Sequence, residues 1–175
     1  DEPSAVHVEI PKTSTVAQYF QDNEVLAVRQ TMGGLELSYE VKPLLYLRLI
    51  PTSDLPPLRQ AEIEDFIHGI KLAPIGDTRH GANKDRNKYG GMTYDFERPE
   101  EGGLFTSSQI FENRELWGID ATVFGEDDNY IASDACEQVL CDGLRRYIDF
   151  ATQYLQITPP VKIEAGACRV KGFRL

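Results

Sequence analysis

Alternating apolar and polar residues mark the middle of the chain and predict β-strands. Leu104–Phe111 and the stretch from Trp117 to Val123 flank a short polar segment, Glu112–Glu115. Every second residue from Trp117 to Val123 is apolar, which in a strand places these side chains on one face. A polar tetrapeptide between two such stretches is typical of a hairpin turn. The pattern therefore predicts a β-hairpin, and we expect it at the centre of a sheet.

A second apolar block, Leu35–Ile50, predicts further strands. Its first part, Leu35–Val41, alternates apolar and polar residues, as in a strand with one buried face. Pro43 interrupts the block, because proline cannot donate a ladder hydrogen bond. Leu44–Ile50 is almost continuously apolar, with Arg48 the exception, which is typical of a strand covered on both faces. Additional strands are predicted at Met92–Phe96 and, as one or two strands joined around Gly166, in Val161–Leu175.

Two stretches have the spacing of apolar residues that indicates an amphipathic helix. The shorter is Leu58–Ile70 and the longer is Ser133–Ile157, where Asp134 and Glu137 form a capping-box pattern. Together the patterns predict an α+β fold: a mostly antiparallel sheet, a long C-terminal helix and a shorter helix packed on it. We divide the chain into an N-terminal arm with a short helix, residues 1–34, and a single α+β domain, residues 35–175.

The composition limits the classes of function. The net charge is −10 and the isoelectric point is about 4.8. This disfavours binding of nucleic acid or an anionic membrane by the whole domain, because both require a positive field. No stretch reaches the roughly 20 apolar residues of a membrane span, and the start has no signal-peptide pattern. The three cysteines are widely spaced, which suits free thiols in a reducing compartment, and we expect a cytoplasmic protein.

Lys71–Gly91 departs from the acidic character of the chain. It has five Lys or Arg residues against two Asp residues, a balance of +3, with four glycines and no regular period. Long loops are often functional, glycines allow a close backbone approach, and basic side chains bind phosphates strongly. The sequence therefore predicts a loop that binds a nucleotide phosphate or a nucleic-acid backbone through Arg79, His80, Lys84, Arg86 and Lys88. A surface loop whose cations pair with nearby carboxylates is the structural alternative.

The sequence contains no complete signature of a reaction centre. Both nucleotide-binding glycine fingerprints and the Gly-x-Ser-x-Gly motif are missing, so we expect no catalytic residues, no cofactor and no metal. A hydrolase that uses His80 with Asp120 or Glu115 is left open, provided that the loop folds over the hairpin. Glu115 and Asp120 should lie on opposite faces of a strand, since they are five residues apart. Apolar neighbours of Asp120 favour a raised pKa or a local backbone hydrogen bond.

Several sequence blocks resemble one bacterial family. The blocks are VKPLLYLRLIPT (Val41–Thr52), NKYGGMTY (Asn87–Tyr94), IFENRELWGIDA (Ile110–Ala121), Pro159-Pro160 and IEAGACRVKGFRL (Ile163–Leu175). They are similar to the region that follows an AlbA-type, Schlafen-like domain in proteins described as DNA-binding proteins or divergent ATPases. In that family the role in binding nucleic acid or nucleotide belongs to the upstream domain, and no active-site residue carries over to this region.

The resemblance implies a C-terminal accessory module of a larger bacterial cytoplasmic protein. A start at Asp1 rather than at a methionine agrees with this expectation. We therefore expect a non-catalytic regulatory or assembly module whose partner is the upstream domain of the same polypeptide. A nucleic-acid or phosphate ligand at the basic loop and association into a homo-oligomer are left open, and no membrane partner is expected.

Overall fold

A six-stranded antiparallel sheet with two helices forms an α+β fold, as predicted. The computed structural model describes residues 31–32, 35–36, 43–69, 71–78, 81–87, 90–98, 103–124 and 130–173. The strands in these ranges are β1 (Thr31–Met32), β2 (Leu35–Glu36), β3 (Leu44–Pro51), β4 (Asn83–Asn87), β5 (Gly90–Arg98), β6 (Gly103–Phe111), β7 (Leu116–Asp120) and β8 (Val161–Cys168). The helices are α1 (Gln60–His68) and α2 (Ser133–Gln153).

The predicted hairpin lies at the middle of the sheet. The strand order is β4-β5-β6-β7-β3-β8, with every neighbouring pair antiparallel, while β1 and β2 pair separately. In the turn between β6 and β7, the Arg114 N–H donates to the carbonyl of Phe111 at 2.9 Å. β7 ends at Asp120, although the alternating apolar pattern continues to Val123. The chain turns after Asp120, and Val123 lies in that turn.

Arg114 links this hairpin turn to two other segments. Its backbone has a φ of 69°, and its Nε donates to the carbonyl of Pro56 at 2.9 Å. Its NH1 group donates to the carbonyl of Leu155 at 2.7 Å. One side chain therefore connects the turn to the segment before α1 and to the segment after α2.

Both helices pack on the same face of the sheet. α1 contacts β5 and β4, whereas α2 contacts β3 and β7. The helices also contact each other, because the rings of Phe66 and Phe150 meet edge to face with centroids 5.5 Å apart. The predicted packing of the shorter helix on the longer is therefore confirmed. The buried residues of this helix-side core are Leu47, Leu49, Leu58, Ile63, Phe66, Ile67, Leu72, Ile75, Ile110, Leu116, Tyr147, Phe150, Ala151, Leu155 and Ile157.

The opposite face of the sheet carries a second apolar core. Phe111 and Trp117 are in ring contact there, with centroids 4.8 Å apart. β3 is buried on both faces, as predicted from its continuous apolar run. The residues of this second core are Leu44, Met92, Tyr94, Phe96, Leu104, Phe111, Trp117, Ile119, Ala121 and Cys168.

The prediction of an irregular loop over Lys71–Gly91 is wrong in part, because β4 lies within it. β4 is the polar sequence NKDRN, which has no apolar alternation to indicate a strand. Backbone pairing with β5 stabilises it as an edge strand instead. Likewise, the C-terminal segment forms one continuous strand through Gly166.

Two predictions about the helices, their C-terminal ends and the capping box, are wrong. α1 ends at His68 and α2 at Gln153, each before the predicted end. The predicted capping box at α2 is absent, because Ala132 is its N-cap and no side chain caps it. Of the predicted arm with its short helix, residues 1–34, the structure describes only residues 31–32, which form β1. Residues 37–41 of the predicted strand also lie outside the described residues.

Candidate functional site

The structure places two of the five predicted ligand-binding residues on β4. Lys84 and Arg86 are two residues apart on this edge strand, and both side chains reach α1. Lys84 Nζ donates to the carbonyl of His68 at 3.0 Å, where the end of a helix favours a cation. Arg86 forms an ion pair with Glu64, and 39% of its side chain stays exposed. The two cations therefore have protein partners on α1 and also a surface open to solvent.

The other three residues of the predicted site are Arg79, His80 and Lys88, which lie outside the described residues. The site as a whole therefore stays a prediction. Glu64 could not be identified as a partner from the sequence, because it is 22 residues from Arg86 and belongs to a different element.

A buried ion-pair cluster lies on the sheet face opposite the helices. Arg48, on β3, is 0% exposed. Its Nε and NH2 groups donate to one oxygen of Glu115 at 3.0 and 2.7 Å, and its NH1 group donates to Glu164 at 3.1 Å. The strand register explains the geometry, since β3 lies between β7 and β8 and Arg48 is paired with Glu164. The guanidinium therefore ties the two neighbouring strands to β3.

Further hydrogen bonds complete the Arg48 cluster. Glu115 also accepts from Trp117 Nε1 and from Asn113 Nδ2, each at 3.1 Å. The guanidinium carbon of Arg48 lies 5.1 Å from the centroid of the Trp117 ring, within the range of a cation–π contact. Lys162 reaches the second oxygen of Glu164 at 2.6 Å. The cluster thus pairs two cations with two carboxylates.

The pKa of Glu164 reflects both its burial and its charged neighbours. Burial alone would raise the pKa of this carboxyl, but hydrogen bonds from Lys162 and Arg48 outweigh it and lower the pKa. The sequence contained one signal for this cluster, since Arg48 interrupts an otherwise apolar strand. Its partners were not apparent, because Glu115 and Glu164 are 67 and 116 residues away.

Asp120 is buried on the helix-bearing side of the sheet. Its Oδ1 accepts from the backbone N–H and the hydroxyl of Thr122 at 2.9 and 2.6 Å. Its Oδ2 has no hydrogen-bond partner among the described residues. Burial raises the pKa of Asp120, and the hydrogen bonds from Thr122 offset only part of this effect. Both properties expected of Asp120 from its apolar neighbours, the raised pKa and the local backbone bond, are therefore present.

Gly76 permits this position of the Asp120 carboxyl. A Cβ atom at residue 76 would lie 1.6 Å from Oδ2 of Asp120, far inside van der Waals contact. The Gly76 N–H donates to the hydroxyl of Thr106 at 2.9 Å, which fixes the segment against β6. The carboxyl is therefore enclosed, with 0% of Asp120 exposed, rather than facing an open cleft.

These contacts bear directly on the hydrolase alternative. Glu115 hydrogen-bonds Arg48 on the face opposite the helices, whereas Asp120 lies on the helix-bearing face. They therefore do not form an acid–base pair with each other, and His80 lies outside the described residues. Burial and the nearby Asp120 carboxylate raise the pKa of the Cys136 thiol, which disfavours the reactive thiolate.

A small groove separates residues 71–73 from α2. Its volume is about 210 Å³, below the roughly 300–1,000 Å³ of typical ligand pockets. Arg146 and Asp149 line it together with apolar side chains. At its mouth, Lys71 Nζ lies 2.6 Å from an oxygen of Asp65 and 5.2 Å from the ring centroid of Tyr154. The mixed lining favours no particular class of ligand.

No metal site, membrane-spanning helix or similar known protein indicates a function for the described residues. Among the described residues, no group of three His, Cys, Asp or Glu side chains is placed to hold a metal ion. In the same ranges, neither α1 nor α2 combines the length and the apolar composition of a membrane-spanning segment. No protein-family model, curated protein or solved structure matches the chain.

Proposed function

We propose that the chain is a non-catalytic accessory module, with a regulatory or assembly role, in a larger bacterial cytoplasmic protein. The upstream partner would be a DNA-binding domain of the AlbA-type, Schlafen-like kind. The sequence blocks that resemble this family support the proposal. The single observation that carries it is the Arg48 cluster, because the buried guanidinium is neutralised by Glu115 and Glu164 rather than exposed to a substrate.

The Arg48 cluster has the properties of a structural element. A catalytic carboxylate must come within hydrogen-bond reach of its substrate. Glu115 is instead 2% exposed and accepts hydrogen bonds from three side chains. Buried ion pairs of this kind are retained only where geometry and hydrogen bonding compensate for desolvation. The buried charges of the Arg48 cluster therefore hold strands together, as expected of a scaffold.

Association with the upstream domain tests the accessory role. The chain and the upstream segment of its own polypeptide are expressed separately, mixed and separated by size-exclusion chromatography. We expect them to co-elute, whereas an unrelated α+β domain of similar net charge does not. Hydrolysis of a nucleotide or a phosphate ester by the purified chain, abolished in Asp120→Asn, would contradict the proposal.

Phosphate or nucleic-acid binding at the basic segment is the second candidate. It is favoured by the position of Lys84 and Arg86 on one side of an exposed edge strand. DNA, RNA and nucleotide binding is measured by fluorescence anisotropy at low and high salt. We expect binding that weakens with salt and is lost in the triple variant R79A/R86A/K88A.

A matched triple variant controls for the loss of net charge. Arg59, Arg145 and Lys171 are exposed cations elsewhere on the surface, so R59A/R145A/K171A should retain binding. Absence of binding by the unmodified chain at low salt would exclude this candidate.

A further inference from the structure

The outer edge of β8 is available for pairing. β8 is the last strand of the sheet, and within the part of the chain that the structure describes no strand pairs with its outer side. Its pairing with β3 has no bulge, and Lys162, Ala165 and Ala167 are exposed. No proline lies within the strand. A regular, open edge of this kind presents unpaired backbone groups to another strand.

The hydrogen bonds of the central hairpin show which residues of β8 face outward. Ala121 N–H donates to Phe105 and Phe111 N–H donates to Glu115, so odd-numbered residues of β7 bond toward β6. Antiparallel strands alternate the direction of their backbone groups. Even-numbered residues of β7 therefore bond to odd-numbered residues of β3, such as Leu47.

The same alternation continues to the edge of the sheet. Even-numbered residues of β3 must bond toward β8, where their partners are also even-numbered, as in the Arg48–Glu164 pair. The odd-numbered residues of β8 consequently direct their N–H and C=O groups away from the sheet. These outward residues are Val161, Ile163, Ala165 and Ala167.

We propose that two copies of this chain pair through β8, antiparallel, about a two-fold axis at Ile163. Hydrogen-bonded pairing requires odd-numbered residues to face odd-numbered residues. With the axis at Ile163, Ile163 of one chain faces Ile163 of the other, and Val161 of each chain faces Ala165 of the other. The two sheets then become one continuous sheet. The second copy would be the partner in the assembly role proposed above, so this inference rests on that proposed function.

Charge complementarity selects this register among the alternatives. With the axis at Ile163, Lys162 lies opposite Glu164 of the second copy, and symmetry repeats the pair. A two-fold axis at Glu164 would place the two Glu164 side chains opposite each other, and like charges directly opposite each other are unfavourable. An axis at Ala165 would place no opposite charges together. Lys162 and Glu164 already form an ion pair within each chain at 2.6 Å, so this register sets two such pairs side by side with opposite charges adjacent. The alternating charges favour the register, while the backbone hydrogen bonds supply most of the attraction.

Proline substitutions on β8 test the pairing and its register. Ala165→Pro removes an outward N–H without affecting the hydrogen bonds to β3. Sedimentation velocity over a range of concentrations should show a monomer–dimer equilibrium for the unmodified chain and only monomer for Ala165→Pro. Ala167→Pro makes the same chemical change outside the proposed pairing, because residue 167 would face Pro159 of the second copy. It should dimerise like the unmodified chain.

Circular dichroism and Trp117 fluorescence verify that both proline variants are folded. A third variant, Lys162→Glu, should weaken the dimer about tenfold at low salt, because it places like charges opposite each other. A monomer at every concentration, or a dimer insensitive to Ala165→Pro, overturns the pairing. Equal disruption by Ala167→Pro overturns the register.

Sedimentation velocity tests the β8 pairing, and co-elution with the upstream segment tests the accessory role, so the two proposals can fail independently. A monomeric chain that co-elutes with its upstream segment contradicts only the β8 pairing. A dimer that fails to co-elute contradicts only the accessory role.

Discussion

Arg48 illustrates how a charged residue is accommodated within an apolar strand. Transfer of a charge from water to a protein interior costs several kcal/mol unless partners compensate. Arg48 has two carboxylate partners and an aromatic ring in contact with its guanidinium. The arrangement is specific, because Glu164 and Trp117 come from neighbouring strands in one register and Glu115 directly precedes β7.

Replacement of Arg48 should be strongly destabilising. We expect Arg48→Met to lower the free energy of unfolding by about 3–5 kcal/mol, because it leaves Glu115 buried without its cation. Urea unfolding followed by Trp117 fluorescence provides the measurement. The double variant R48M/E115Q should recover part of the loss, since the uncompensated charge is removed. Additive effects of the two substitutions would show that the pair is not coupled.

Asp120 should make stability depend on pH. Its folded-state pKa is raised above the ordinary value of 3.8. As the pH rises above that value, the unfolded chain releases the proton before the folded protein does, so stability falls until the folded-state pKa is passed. We therefore expect Asp120→Asn to be more stable than the unmodified chain at neutral pH, with the difference shrinking as the pH falls toward 3.8.

Urea unfolding at a series of pH values measures this effect. Asp54→Asn, at an exposed position, serves as the control and should show no comparable change. A difference between Asp120→Asn and the unmodified chain that stays constant with pH would contradict the assignment.

At the level of elements, strong periodicity predicted most of the fold. The β6–β7 hairpin, β3 and α2 follow from patterns of hydrophobic residues that persist over many positions. β4 was not predicted, because an edge strand with solvent on one side can consist of polar residues and still pair through its backbone. The position of β8 in the sheet also could not be predicted, because strand order depends on contacts distant in sequence.

The candidate sites were less predictable than the elements. The sequence identified Lys84 and Arg86 as candidate ligand-binding residues but not their orientation toward α1, which depends on the pairing of β4 with β5. It likewise identified Arg48 as an exception within an apolar strand. The carboxylates that accompany Arg48 become apparent only from the register of three strands.

Gly118 allows α2 to approach the sheet closely. A Cβ atom at residue 118 would lie 1.8 Å from Ile75 and 2.5 Å from the hydroxyl of Tyr147. We expect Gly118→Ala to lower the free energy of unfolding by about 1–3 kcal/mol through overpacking. Thermal unfolding monitored by circular dichroism checks this value.

Gly143, on the face of α2 that packs against the sheet, provides a comparison through the substitution Gly143→Ala. A Cβ atom there would meet its nearest neighbours at 3.3 Å, which requires only a small adjustment. Alanine is also favoured over glycine in a helix by about 1 kcal/mol. A loss for Gly143→Ala as large as that for Gly118→Ala would contradict this account of the interface.

At the scale of the whole molecule, one sheet separates two apolar cores. β3 contributes Leu47 and Leu49 to the helix-side core and Leu44 to the opposite core. Neither core can be lost without disturbing strands that the other requires. We therefore regard the described domain as a single cooperative unit.

Two spectroscopic probes test this cooperativity. Trp117 reports on the core opposite the helices, and far-ultraviolet circular dichroism reports mainly on α1 and α2. Their urea transitions should coincide, because the cores share strands. Separate midpoints would show that the two faces unfold independently.

The Arg114 side chain has a consequence for changes in chain length. It anchors the carbonyls of Pro56 and Leu155 to the β6–β7 turn. An added residue in any of these three connections would displace a carbonyl or the guanidinium from its partners. Insertions, circular permutation and grafted peptides should therefore be poorly tolerated there, even though these connections lie outside the helices and strands.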